Sequence, residues 1–145
     1  MIATILYVED DPLNTRMVRS ILHRMGYEMA SEVDGISGVI TAKKTLPDLI
    51  LMDINLPYLD GLESTRRLKA DPKTAHIPIV AITAYTGVGD RARCFEAGCD
   101  DYIAKPVTLK ELRSVMTQLL HNSDGQCLSS GNSKTSYYRD SSRKN

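Results

Sequence analysis

The stretch LILMDINLP, residues 49–57, runs four apolar residues straight into an aspartate. A short apolar run of this kind reads as a strand covered on both faces. Asp53 then stands at the carboxyl end of a buried strand, where a charge needs a reason. It is a turn residue, a helix cap or a working group, and the rest of the chain decides which.

Outward from this stretch, strands alternate with helical patterns. Ile2 to Val8 reads as a strand, and Asp11-Pro12 as a cap followed by proline in a first helical turn. Met17, Val18, Ile21, Leu22 and Met25 follow at helical spacing, and Gly26 ends the helix. Tyr27 to Val33 is a weaker, outer strand, and Asp34 opens a helix carrying Ile36, Val39 and Ile40. After Asp53, a helix is expected from Asp60 to about Ala70, and the loop DPKTAHIP returns the chain. Ile79 to Thr83 is a second continuous apolar strand. A short helix near Asp90 to Ala97 stops at Gly98, and Asp101 to Ala104 makes the last strand. Thr108 and Glu111 form a capping-box pattern ahead of a face built by Leu109, Leu112, Val115, Met116 and Leu119. This regular alternation implies a parallel sheet with helices on both sides.

The chain has 145 residues, which favours one domain. Lysine plus arginine equals aspartate plus glutamate at 18 each, so the basic excess of a nucleic-acid binder is missing. No apolar run approaches a membrane span. The N-terminus MIATILYVEDD lacks a basic region and turns acidic at residue 9, unlike a signal peptide. Cys94, Cys99 and Cys127 are an odd, irregular set, which reads as reduced thiols rather than disulfides or a zinc site. After His121 the composition turns to serine, glycine and asparagine, so residues 1–121 are expected to form the domain and 122–145 a disordered tail. His23, His76 and His121 fall on helix or loop patterns and are read as structural or exposed.

In a parallel sheet every strand points its carboxyl end to one edge, where open α/β sheets hold their sites. Glu9 and Asp10 close the first strand, Asp53 the third and Thr83 the fourth, and Lys105 follows the fifth. Two carboxylates about 4 Å apart repel by roughly 4 kcal/mol at an effective dielectric of 20, so such a group of acids asks for a cation. Magnesium fits, since it takes oxygen ligands and binds through one or two carboxylates plus a phosphate. Glu9, Asp10, Asp53 and the backbone carbonyl of Asn55 are the candidate ligands. A carboxylate can also act as a nucleophile and form an aspartyl phosphate. Lys105 and the Thr83 hydroxyl would then meet the charge of the transferring group. Asp11 is set aside as the cap before Pro12. Any one of these residues alone is an ordinary strand-end or turn residue. Their joint placement at the right strand ends is not.

These pieces resemble the receiver domain of two-component response regulators, and of the stand-alone, chemotaxis-regulator-like kind. The resemblance rests on ILYVEDD (5–11), PDLILMDINLPYLDG (47–61), IPIVAITAY (77–85) and AGCDDYIAKP (97–106). It implies a (βα)5 doubly wound, flavodoxin-like three-layer sandwich with strand order 2-1-3-4-5. Asp53 is similar to the phospho-accepting aspartate. Asp10 matches a direct magnesium ligand, Glu9 a ligand through water, and Asn55 a backbone ligand, with manganese as the expected substitute. Thr83 and Lys105 match the phosphate-stabilising pair, Thr83 and Tyr102 the switch residues, and Pro106 a cis-proline. Asn55 and Tyr85, the latter two residues past Thr83, are expected to tune dephosphorylation.

The function implied is a cytoplasmic phosphorylation switch. A sensor histidine kinase or a histidine phosphotransfer protein supplies the phosphoryl group. The signal leaves through a downstream protein bound to the surface of the fourth helix, fifth strand and fifth helix, with no nucleic acid or membrane involved. The chain would be a monomer or a weak dimer, and catalyses only its own phosphorylation and dephosphorylation. The alternative is an aspartate-nucleophile phosphatase, whose nucleophile usually closes the first strand and whose fold carries a cap. Here the central aspartate closes the third strand and the loops are short. A flavin-binding module would need a phosphate loop after the first strand, where this chain has EDDPLN.

Overall fold

The structure, a computed structural model, describes residues 2–84 and 88–121. Residues up to Leu109 form one compact unit, and a second begins at Lys110. Strands β1 (Thr4–Val8), β2 (Glu28–Glu32), β3 (Leu49–Asp53), β4 (Ile79–Thr83) and β5 (Asp101–Ala104) make one five-stranded sheet of order β2-β1-β3-β4-β5. All pairings are parallel, and the order is the one the resemblance implies. Helices α1 (Pro12–Arg24), α2 (Gly35–Thr45), α3 (Gly61–Ala70) and α4 (Val88–Ala97) fill the connections. The step from β1 to β2 crosses the sheet one way, and later steps run the other way. Right-handed crossovers therefore put α1 on one face and α2, α3 and α4 on the other.

The second unit contains most of α5 (Leu109–Met116), which runs on into a π-helical turn at Thr117–His121. Leu112, Val115 and Met116 are its buried residues. Residues 122–145, where the tail is expected, lie outside the described residues, as does Cys127. No described helix is long and apolar enough to cross a membrane.

The core follows strand alternation. Leu6, Val8, Ile50, Met52, Ile79 and Ala81 join one cluster with Val39, Ala42, Leu62, Leu68, Cys94 and Ala97 from α2, α3 and α4. Ile5, Tyr7, Leu49, Leu51, Val80 and Ile82 alternate with them, are equally buried, and face the other side. Both central strands thus have no polar face, which is why β3 and β4 read as unbroken apolar runs. β2 sits at the edge and is only half-buried. Arg19 of α1 reaches over it and donates to the Met29 carbonyl and the Ser31 hydroxyl, both at 3.1 Å. A charged side chain on an outer strand also discourages pairing with another chain.

Aspartates open three helices. Asp11 accepts from the Leu13 N–H at 2.9 Å, Asp34 from Ser37 at 2.8 Å and Asp60 from Glu63 at 2.8 Å. Each satisfies an N–H that the helix itself leaves without a partner. α2 departs from a simple apolar stripe. It buries Gly35, Gly38, Val39 and Ala42, while Ile36 and Ile40 stay half-exposed. A Cβ on Gly38 would come within 2.9 Å of Val8, so the helix lies with its glycine face on β1 and the isoleucines turn outward.

The loop after β3 is shaped by a similar close approach. Gly61 donates its N–H to the Ile54 carbonyl at 2.9 Å, and a Cβ there would stand 2.1 Å from the Asp53 carbonyl oxygen. The loop can fold back onto the end of β3 only because that position carries no side chain. Gly61→Ala is therefore expected to destabilise the protein by about 1–3 kcal/mol, read from the urea midpoint. Gly89→Ala, on α4 with open space around it, should instead be neutral or stabilising by up to about 1 kcal/mol.

Candidate phosphoryl-acceptor site

The register of the sheet builds the site. Val8 pairs with Met52, Asp53 with Ile82, and Thr83 with Ala104. One step along each strand then brings Glu9, Asp53, Thr83 and Lys105 to the same carboxyl edge. Glu9, Asp53 and Thr83 are buried there, at 1%, 2% and 4% exposure, whereas Asp10 points to solvent.

Lys105 joins the two buried acids. Its Nζ donates to Asp53 Oδ2 at 3.2 Å and lies 3.3 Å from Glu9 Oε1. The main chain holds it in place, with the Lys105 N–H donating to the Thr83 carbonyl at 2.8 Å. The Lys105–Pro106 peptide is cis. Asp53 Oδ1 accepts from the Asn55 N–H at 3.2 Å. Glu9 has its own fixed donors, the Tyr7 hydroxyl at 2.8 Å on Oε1 and the Asp11 N–H at 3.2 Å on Oε2. Glu9 is thus oriented by groups that leave Asp53 open to other partners.

The charges do not balance. Burial, then repulsion from Glu9, push the Asp53 carboxyl up to about 6 against the opposing pull of Lys105 and the Asn55 N–H. Burial works against the Lys105 ammonium, but the Asp53 and Glu9 carboxylates outweigh it and raise its pKa. Tyr7 is raised beyond the ordinary phenol range by burial, and then by its hydrogen bond to Glu9 and that carboxylate's charge. One ammonium cannot neutralise three acids. Glu9, Asp10 and Asp53 each offer an oxygen within 4.8 Å of the others. That donor set, all oxygen and part exposed, fits a hard divalent cation such as magnesium.

Among the residues singled out from sequence, Glu9, Asp10, Asp53, Asn55, Thr83 and Lys105 come together at this edge. Tyr102 lies on β5, half-buried, with its ring against α4 rather than in the acidic cluster. Tyr85 lies outside the described residues. Two functional positions escaped the sequence reading. Tyr7 precedes Glu9 by two residues, so strand periodicity alone could have placed its hydroxyl beside that carboxylate. Gly61 carries no sequence signal of its own, and only the folded loop reveals its close approach to the Asp53 carbonyl.

Residues 5–117 match the model of the response regulator receiver domain. The chain is 40% identical over 109 residues to the polar-differentiation response regulator DivK of Brucella ovis, covering 75% of this chain and 89% of that protein. The receiver domain of a sensor histidine kinase from Pseudomonas aeruginosa, solved with a magnesium ion coordinated in its active-site cleft, superposes with a TM-score of 0.78. It is 38% identical, covering 83% of this chain and 99% of that one. The chemotaxis regulator CheY4 of Vibrio cholerae, 24% identical with a TM-score of 0.77, covers 82% of this chain and 99% of its own and shares the fold.

Magnesium at about ten times its Kd should stabilise the folded protein by about 1.4 kcal/mol. That corresponds to a rise of several degrees in Tm. Asp10→Asn should abolish the rise while raising the Tm without metal slightly, since it removes one of three mutually repelling charges at an exposed position. Thermal melts with and without chelator check both.

Proposed function

This chain belongs to the response regulator receiver family, and from that premise we propose that Asp53 accepts a phosphoryl group from a phosphohistidine. A carboxylate oxygen of Asp53 attacks phosphorus, the N–P bond of the donor breaks, and the imidazole nitrogen keeps the electron pair. An acyl phosphate forms on Asp53. The observation that carries this reading is the convergence of Lys105, Glu9 and Asp53 within 3.3 Å at the end of β3.

Each residue then has a task. Lys105 sits where it can follow the charge from the carboxylate to the transferring oxygens, and Thr83 offers a hydroxyl from the adjacent strand end. The Asn55 N–H and the backbone of the Gly61 loop hold Asp53 in one orientation. Glu9, Asp10 and Asp53 would hold a magnesium or manganese ion, with Asn55 adding its carbonyl. When bound, the metal supplies positive charge to the phosphoryl oxygens and relieves repulsion between the acids.

The protein works as a switch, catalysing only its own phosphorylation and dephosphorylation. The donor is a sensor histidine kinase or a histidine phosphotransfer protein in the cytoplasm. The Thr83 hydroxyl moves toward the new phosphate, Tyr102 changes its packing, and the face formed by α4 and β5 alters for a downstream protein. A local change of charge thus biases two packings of one fold.

Acetyl phosphate with magnesium should label the wild-type chain at one site, seen by intact mass. Asp53→Asn should take up nothing from acetyl phosphate or from a phosphorylated kinase. Stoichiometric labelling of that variant would overturn the assignment. Manganese should restore labelling of chelator-treated protein as magnesium does.

A further inference from the structure

Tyr102 is clasped from two sides by one helix. Arg91 and Phe95 are four residues apart on α4 and so project from the same face. The Arg91 guanidinium carbon lies 5.7 Å from the centre of the Tyr102 ring, and its Nη1 donates to the Tyr102 hydroxyl at 3.2 Å. The Phe95 ring meets the same ring edge to face, with centroids 6.2 Å apart at 85°. The backbone beneath is fixed as well, since the Tyr102 N–H donates to Asp101 Oδ1 at 2.8 Å. One guanidinium therefore engages both the face and the hydroxyl of a single tyrosine.

The position of this tyrosine gives the clasp a consequence. Tyr102 pairs with Ala81 in the register, two residues before Thr83 on β4, and precedes Lys105 by three residues on its own strand. Movement of Thr83 or Lys105 would therefore reach Tyr102 through two adjoining strands, and Tyr102 would hand it to α4. A contact made equally in both states of a switch shifts nothing, while one made in a single state sets the equilibrium. A cation over an aromatic face together with a hydrogen bond to that ring's hydroxyl ties the contact to one ring orientation.

We propose that Arg91 is a positioning residue that holds Tyr102 in its unphosphorylated orientation, so that phosphorylation must release this clasp. The inference rests on the reading of Asp53 as phosphoryl acceptor, and it adds the residue that sets how readily the switch turns. Arg91→Ala removes both contacts and lowers the cost of switching. Arg91→Lys keeps the charge but loses the planar group that spans ring and hydroxyl. Tyr102→Phe keeps the ring and removes only the hydroxyl.

The experiment is a titration with beryllofluoride and magnesium, which mimics the phosphorylated state, followed by calorimetry. NMR of ring-labelled tyrosine runs in parallel, with Tyr102 assigned through Tyr102→Phe. Arg91→Ala should bind beryllofluoride about three- to tenfold more tightly than wild type, from the loss of one cation–π contact and one hydrogen bond. Arg91→Lys should fall between them. In a Tyr102→Ala background, Arg91→Ala should have no further effect. Without any ligand, the Tyr102 ring signal of Arg91→Ala should already lie toward its beryllofluoride-bound position. Unchanged affinity in Arg91→Ala beside a wild type that binds would overturn this inference alone, as would an equal gain in the Tyr102→Ala background. If neither protein binds beryllofluoride, the reading of Asp53 falls, and the clasp loses its role with it.

Discussion

The architecture of the site depends on one ammonium shared between two buried carboxylates. Lys105 lies 3.2 Å from Asp53 and 3.3 Å from Glu9. Burying an ion without a partner costs several kcal/mol, so neither acid would stay charged in this position alone. Lys105 makes the pair tolerable without satisfying it, because Asp10 adds a third negative charge at the rim. The remaining deficit of positive charge is what a divalent cation would meet. Burial first, and then repulsion from Glu9, raise the Asp53 carboxyl to about 6 even beside a lysine.

Sheet topology makes this cluster affordable in conformational terms. Residues from positions 9, 53, 83 and 105 reach one edge because every strand points the same way. No long loop has to be ordered to bring them together. The apolar interior of β3 and β4 anchors their ends, so the charged groups stand on rigid supports rather than on mobile segments. The cost of the site is spread over the core below it.

Sequence carried the parts of this arrangement that arise from periodicity. Unbroken apolar runs leading into Asp53 and Thr83 announced buried strands, Asp11 announced a cap, and Asp34 and Asp60 announced helix starts. The rim followed, since strand ends are positions in a repeat. Features set by close approach between distant segments were not legible. The outward turn of Ile36 and Ile40 depends on Gly38 meeting Val8, which no spacing within α2 reveals. The start of α4 at Val88 rather than near Asp90, and the π-helical turn after α5, are helix-end details that propensity does not fix. The contact between Arg91 and Tyr102 joins two elements through side-chain packing alone.

The site and the clasp divide the strand that links them. Lys105 follows β5 and holds the acids, whereas Tyr102 within β5 is held by α4. If Lys105 shifts its charge contacts toward a phosphoryl group on Asp53, the strain enters β5 at its carboxyl end. Thr83, buried at the end of the neighbouring strand and hydrogen-bonded through its carbonyl to Lys105, moves within the same frame. A dense core does not deform smoothly, so such a displacement is taken up where a side chain has two discrete packings. Tyr102 is half-buried at the sheet edge with a polar tip, and a ring of that kind can exchange one set of partners for another without opening a large void. Ile103 beside it is buried and cannot. On the proposed reading the switch belongs at Tyr102, and whatever binds that ring in the resting state would govern how much of the phosphorylation energy reaches the α4 surface.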